Sequence, residues 1–440
     1  MDLITMYATL DDWIRHEAIP FSLDSPQSFC ASVDRVMASL GALVKLLGLG
    51  EALHGGEDIL MLRNRLFQRL VEKHGYSAIA MESSFPRVHA VNEYVAGHGP
   101  ASYDALREAG FSHGFGRLEA NRELVEWMRE YNADAAHSIK LRFYGFDSPT
   151  EMMFADSPAQ VLHFVLDYLA TIDSASSEEK RQRIEPLLGQ DSDWENPAAT
   201  MDPAKCIGLS PAATALRIEV EDLLTELQVR RPELVARSDA GSYLEAVQYA
   251  KVARALLNYH AALARKPEPG KRIIDCLGLR DAMMADNLAY VVSQERSRGK
   301  VLAFAHNSHL KRTKAEWQLG SNQLSWWPAG AHLDEIFGQR YAVIGTAVGV
   351  SDGNGIGRPE DGTLEVRLTG VPGPGRFIPT HKGRGLPASE IAALPKRFAS
   401  TLNPTYFPLT SQSFTDFDWL AVLDKTAYSR GGPELEKIGC

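Results

Sequence analysis

Short apolar runs punctuate the chain, and each stops on a residue that can take up or release a proton. VKLLGLG (44–50) runs into Glu51, SAIAM (77–81) into Glu82, LRFYGF (141–146) into Asp147 and VLAFA (301–305) into His306. Runs of this length, apolar at odd and even positions alike, predict strands buried on both faces at the centre of a helix-covered parallel sheet. Between the first two, EDILMLRNRLFQRLVEKHG (57–75) has helical periodicity and a closing glycine. Strand, helix and strand then follow at the spacing of a βαβ unit. YAVIGTAVGV (341–350) and FDWLAVLD (417–424) predict strands that extend this sheet or begin a small second one.

From Ser157 to Lys266 the pattern changes. AQVLHFVLDYLATI, ATALRIEVEDLLTELQV and YLEAVQYAKVARALLNYHAALARK carry helical periodicity with no strand between them. The organisation predicted is α/β, a mostly parallel central sheet covered by helices, with an inserted all-helical domain. The first part of the core takes 1–156, the helical insertion 157–266 and the second part of the core 267–345. Residues 346–440 form a C-terminal subdomain or flap returning to the core. SDGNGIGRPEDG (351–362) and GVPGPGRF (370–377) in this last stretch are rich in turn residues.

Composition narrows the class. A chain of 440 residues with 45% hydrophobic and 23% charged residues is ordinary for a soluble globular protein of two or three domains. No apolar run approaches the length of a membrane span, and the start of the chain lacks the basic and apolar regions of a secretory signal. The formal charge of −10 disfavours nucleic acid or an anionic membrane as partner. Cys30, Cys206, Cys276 and Cys440 form no CxxC pair, which argues against a zinc ribbon or disulfide framework and fits a cytoplasmic location.

Open parallel sheets carry their working groups beyond the carboxyl ends of the strands. One acid after a strand is ordinarily a turn residue, but four such ends together predict a site containing Glu51, His54, Glu82, Asp147, His306 and His309. Gly55, Gly56, Glu57 and Asp58 open the next helix, whose free N–H groups suit a developing oxyanion. A tight turn with acids complementing the helix dipole explains those four residues better. Arg63 lies on the apolar stripe of that helix, with Ile59 and Phe67 four residues to either side. A buried guanidinium is costly unless its donors meet carboxylates, so Arg63 is expected to orient catalytic carboxylates or bind substrate.

His306 and His309, three residues apart and near carboxylates, raise a metal site. HExxH is absent, however, and HxxH alone is a weak metal signal; no cofactor is expected. GxSxG is absent as well, and no cysteine sits at a strand end beside a histidine. Acid–base chemistry on water, carried by histidine and carboxylate, remains. His74, His89, His98, His113, His137, His163 and His260 have no comparable setting and are expected on the surface, at caps or in the core.

These residues form a pattern. GEALHGGEDILMLRNRLFQRLVEKHGYSAIAMES resembles the erythromycin esterase family, whose signature is G-E-x-x-H, a helical arginine and a strand-ending glutamate. Glu51, His54, Arg63 and Glu82 occupy those positions, and Ala305, His306, Asn307, Ser308 and His309 match its second motif, A-H-N-x-H. The resemblance implies a metal-independent hydrolase of a macrolide lactone or related natural-product ester, acting without a covalent intermediate, and a monomer is expected. It makes His54 the general base and His309 its rival, with Glu51 and Glu82 orienting the water and Arg63 holding the carboxylates. His306 would complete the site, and Asn307 and Asp147 would contact substrate. The alternatives are a metal-dependent hydrolase with His306, His309, Glu51 and Glu82 as ligands, a biosynthetic cyclase or transferase, and a small-molecule or haem binder.

Overall fold

The computed structural model describes residues 6–151, 154–266, 270–319, 322–400 and 402–435, so Cys440 lies outside the described residues. Eight strands form the central sheet: β1 (Ile19–Phe21), β2 (Leu46–Glu51), β3 (Tyr76–Ser84), β4 (Arg142–Asp147), β5 (Lys300–His306), β6 (Tyr341–Val350), β7 (Gly375–Pro379) and β8 (Trp419–Lys425). Their order is β1-β7-β8-β6-β2-β5-β3-β4. From β8 across to β4 every pairing is parallel, and β1 and β7 add an antiparallel edge. The runs at 341–350 and 417–424 therefore extend the main sheet.

Period-two alternation sorts each central strand onto two cores. Leu47, Leu49, Ile79, Met81, Leu302 and Phe304 face the helices Pro26–Leu40, Glu57–His74 and Glu119–Ala133. Leu46, Ala78, Ala80, Val301, Ala303 and Ala305 face the other way, toward Met284, Leu288 and Val291 of the helix Lys271–Glu295. The alanines on this side leave room for the helix to lie close to the sheet.

Between Ala159 and Leu263 helices follow one another, and Leu162, Val165, Leu216, Leu223, Ala253 and Leu256 form a core of their own. The helix Lys271–Glu295 joins the two layers. Cys276 and Met283 belong to the helical core, whereas Met284, Ala285 and Leu288 belong to the sheet core.

Chain order reverses beside β2, because β3 and β4 lie to one side with β5 between, and β6 and β8 to the other. Such a switch point opens a crevice at the carboxyl ends of the strands. Glu51 on β2 and His306 on β5 are direct register partners there. Close packing locks these ends together. Asn307 lies over Gly50, where an added Cβ would stand 2.2 Å from its Oδ1. From there Asn307 donates Nδ2–H to the Thr346 carbonyl (2.9 Å) and accepts the Thr346 N–H (3.2 Å).

Candidate active site

The turn after β2 builds the first half of the site. Ala52 N–H donates to Thr346 Oγ1 (2.8 Å) and His54 N–H to Thr405 Oγ1 (2.9 Å), while Gly55 takes a left-handed φ of +86°. Held this way, His54 Nδ1 lies 2.5 Å from Glu51 Oε1. The Glu51 side chain is 4% exposed and that of His54 29%, so the imidazole is the member of the pair that reaches the crevice. Its ring lies 5.3 Å from Phe115 and 5.2 Å from His306 between centroids. Burial works against a charge on His54, but the Glu51 carboxylate outweighs it, helped by Glu82, and the imidazole pKa is pushed up to about 9.

Glu82, buried two residues before the end of β3, lies at the centre of the second half. Its Oε1 accepts from Arg280 (3.0 Å) and lies 3.3 Å from His309 Nε2, and its Oε2 accepts the His306 N–H (2.7 Å). Burial opposes the charge, but the surrounding cations His309, His54 and Arg280 hold the carboxyl well below its usual range. Arg280 also forks onto Asp147, with Nε–Oδ1 2.9 Å and Nη2–Oδ2 2.6 Å, and His113 Nε2 lies 2.9 Å from the same carboxylate. His309 Nδ1 faces Asp281 Oδ1 at 2.7 Å. Burial pulls the His309 pKa down, while Asp281 and Glu82 prevail and raise it.

His306 is different. Its Nε2 donates to the Thr405 carbonyl (2.6 Å), and its Nδ1 accepts from Ser308 Oγ (2.6 Å) and Ser308 N–H (3.2 Å). Burial, reinforced by neighbouring His54, brings its pKa down to about 3. It is a neutral, fully hydrogen-bonded brace between β5 and the segment at Thr405.

Several expectations change. Arg63 is completely buried, but its donors go to Asn64 Oδ1 (Nε 3.0 Å, Nη2 2.6 Å), Asn121 Oδ1 (2.7 Å) and the Ala120 carbonyl, above the Phe304 ring. The side chain bridges to the start of the helix Glu119–Ala133 instead of turning to the carboxylates. Without a carboxylate on those donors, burial lowers its pKa to about 10, although the charge of Glu51 still acts on it. Arg280, from the opposite face of the sheet, makes the carboxylate contacts expected of Arg63.

Asp147 is fully buried under Arg280 and His113, and Asn307 is fully buried between strands. Both are enclosed by protein groups in this structure, against the expectation that they contact substrate. The helix N-terminus after Gly56 offers no free oxyanion hole. Glu57 N–H donates to the Ala427 carbonyl and Asp58 N–H to Thr426 Oγ1, each at 3.0 Å. Glu57 itself pairs with Arg430 (2.6 Å).

His113, set aside in the sequence, belongs to the network. It adopts φ +58° in a loop, which no periodicity announces. Arg280, Asp281 and Thr405 also went unseen. A signal existed for Asp281, because it shares a buried stripe with Met284, Ala285 and Leu288, the same argument that singled out Arg63.

The proposed metal set does not assemble. His306 Nε2 is spent on a carbonyl, and both His309 nitrogens face carboxylates. Glu51, His54 and Glu82 each bring one ligand atom within 4.8 Å of the others, as do Glu82, His113 and Asp147. In both groups Glu82 already has donors on both oxygens, and Arg280 supplies the positive charge at the centre. The geometry is that of an ionic network.

The fold is thus α/β, with a histidine–carboxylate array as candidate site at the ends of parallel strands. The model of the family described as erythromycin esterase matches residues 71–426, and the chain belongs to this family. That match begins beyond Glu51, His54 and Arg63. Erythromycin esterase type II of Escherichia coli is 23% identical over 350 residues, 76% of each chain. Type I from the same organism is 21% identical over 325 residues, covering 71% of this chain and 73% of its own.

Among solved structures, a Bacillus cereus protein shares the fold with a TM-score of 0.74 at 20% identity, covering 96% of this chain and 98% of its own. A succinoglycan biosynthesis protein aligns with a TM-score of 0.71 at 21% identity and the same coverage. A histidine mutant of erythromycin esterase EreC, in its open conformation, aligns with a TM-score of 0.66 at 17% identity, over 93% of this chain and 98% of its own.

Proposed function

We propose that this protein hydrolyses a carboxylic ester, the lactone of a macrolide or a related natural product, with water activated by the His54–Glu51 pair. The observation that carries the reading is the 2.5 Å contact between Glu51 and the most exposed histidine of the array, His54 at 29% against 17% for His113 and 7% for His309. With Nδ1 turned to Glu51, Nε2 is the nitrogen that faces away from the carboxylate and can take a proton from water. His309 is less suited, because its side chain is 7% exposed and lies between Asp281 and Glu82. The substrate class comes from the relatives, two of which are named for erythromycin.

In the reaction the water oxygen bonds to the acyl carbon as its proton passes to His54. Collapse of the tetrahedral intermediate breaks the acyl–oxygen bond, and His54 returns the proton to the departing alkoxide. No enzyme atom becomes bonded to the acyl group, and acid and alcohol are the products. Because the accepting form is neutral imidazole, turnover is expected to climb with pH through an inflection at about 9. Phe115 beside His54 and Phe407 beside His306, both partly exposed, put apolar rings next to the pair. Among the described residues no helix is long and apolar enough to cross a membrane.

The test is a mass-spectrometric screen of macrolides and simpler lactones for products heavier by one water. The wild type is expected to convert at least one, and His54→Ala to lose that conversion while melting normally. Equal hydrolysis by His54→Ala would remove the role given to the pair.

A further inference from the structure

The helix that joins the two layers contributes two consecutive charged residues to the array, and neither lies at a strand end. Arg280 spans Glu82 and Asp147, and Asp281 is wholly buried one residue on. Asp281 accepts three hydrogen bonds: His309 Nδ1 (2.7 Å) and the Ala329 N–H (2.9 Å) on Oδ1, and the Trp326 indole N–H (2.6 Å) on Oδ2. A buried carboxylate satisfied from three directions cannot swing, so it dictates which nitrogen of a histidine it holds.

We propose that Arg280 and Asp281 are positioning residues. Asp281 commits His309 Nδ1 to itself and so turns Nε2 toward Glu82. Arg280 then pins the same Glu82 oxygen from the other side. Glu82 Oε1 thereby sits between Arg280 Nη2 (3.0 Å) and His309 Nε2 (3.3 Å), and its Oε2 on the His306 amide. Fixed in this way, Glu82 acts as a stationary negative charge behind His54 instead of a mobile base. His309 is faced by Asp281, Glu82, Arg280 and His306, and Asp281 is the hydrogen-bonded carboxylate on its far side.

The kinetic consequence rests on the esterase reading, but the structural consequence does not. In Asp281→Asn the ring loses its counter-charge while an amide of the same shape remains. Protein with ¹⁵N-labelled histidine reports both the His309 titration and the tautomer left above it. Asp281→Asn is expected to lower the His309 titration and mix its tautomers. On an ester found in the screen, kcat should fall by about tenfold or more with KM little changed.

An unchanged His309 titration and tautomer overturn the proposal. So does a wild-type kcat in a variant whose titration has moved. If no ester is turned over, the esterase reading fails and the NMR result still decides this one. Should Asp281→Asn not fold, Trp326→Phe removes one donor from Asp281. More of its charge then falls on His309, whose titration moves up, and a titration that stays put is equally fatal.

Discussion

Replacing Glu51 by glutamine takes away the charge that keeps the His54 proton in place. Lifting an imidazole from 6.5 to about 9 corresponds to about 3 kcal/mol of preference for the imidazolium. In Glu51→Gln the largest upward influences vanish, leaving burial and Arg280 against Glu82. The His54 titration should then fall to 6.5 or below. The sign for stability follows from linkage. A group whose folded pKa is raised contributes fully below its unfolded value of 6.5 and loses that contribution as pH climbs through about 9.

Two assays read this. The His54 Hε1 resonance, assigned by comparison with His54→Ala, gives the titration directly. Urea denaturation at pH 6 and at pH 10 gives the energetics. The gap between wild type and Glu51→Gln should shrink by about 3 kcal/mol from the lower to the higher pH. In turnover, the variant's inflection should move below neutrality as its plateau drops. A wild-type His54 titrating near 6.5, or a His54 titration unmoved in Glu51→Gln, would refute the pairing as the source of His54's basicity.

Other consequences can be measured without a substrate. Arg280→Met leaves Glu82 and Asp147 buried without their shared cation and should cost on the order of 3–5 kcal/mol in urea denaturation. A loss under about 1 kcal/mol would contradict the network. Gly50→Ala drives a methyl into Asn307, whose Oδ1 lies 2.2 Å from the added Cβ. It should lower the melting temperature by several degrees, and an unchanged melt would mean that the Asn307 bridge is not rigid.

His260, buried and bonded to the Asp156 carbonyl, is held by burial at about 4. Its contribution is complete above 6.5 and lost as pH falls toward 4, about 3 kcal/mol in all. His260→Leu should flatten the decline in stability over that window, and an equal slope in both proteins would place the acid sensitivity elsewhere.

How much was legible depended on whether the cause was local. Buried parallel strands announce themselves because both faces of each are apolar, and the residue after such a strand must emerge at the crevice. Glu51, Glu82 and His306 were readable for that reason, and His54 because a short turn keeps it near Glu51. Arg63 was readable as a buried cation but not by its partners. Those are Asn64 and Asn121, and Asn121 lies on another helix. Asn307 carried a motif yet serves the strand junction.

The chain's own pattern determined the strands, the helical middle segment and the line of ionisable strand ends, since periodicity and burial act over a few residues. Only the tertiary structure decided which charges meet. The helix Lys271–Glu295 crosses the alanine face of the sheet and delivers Arg280 to Glu82, 198 residues away in sequence, and Asp281 to His309. A loop delivers His113, and the segment at Thr405 closes over His306. Electrostatic partners are chosen by distance in space, and hydrophobic spacing along a chain does not encode that distance between remote elements.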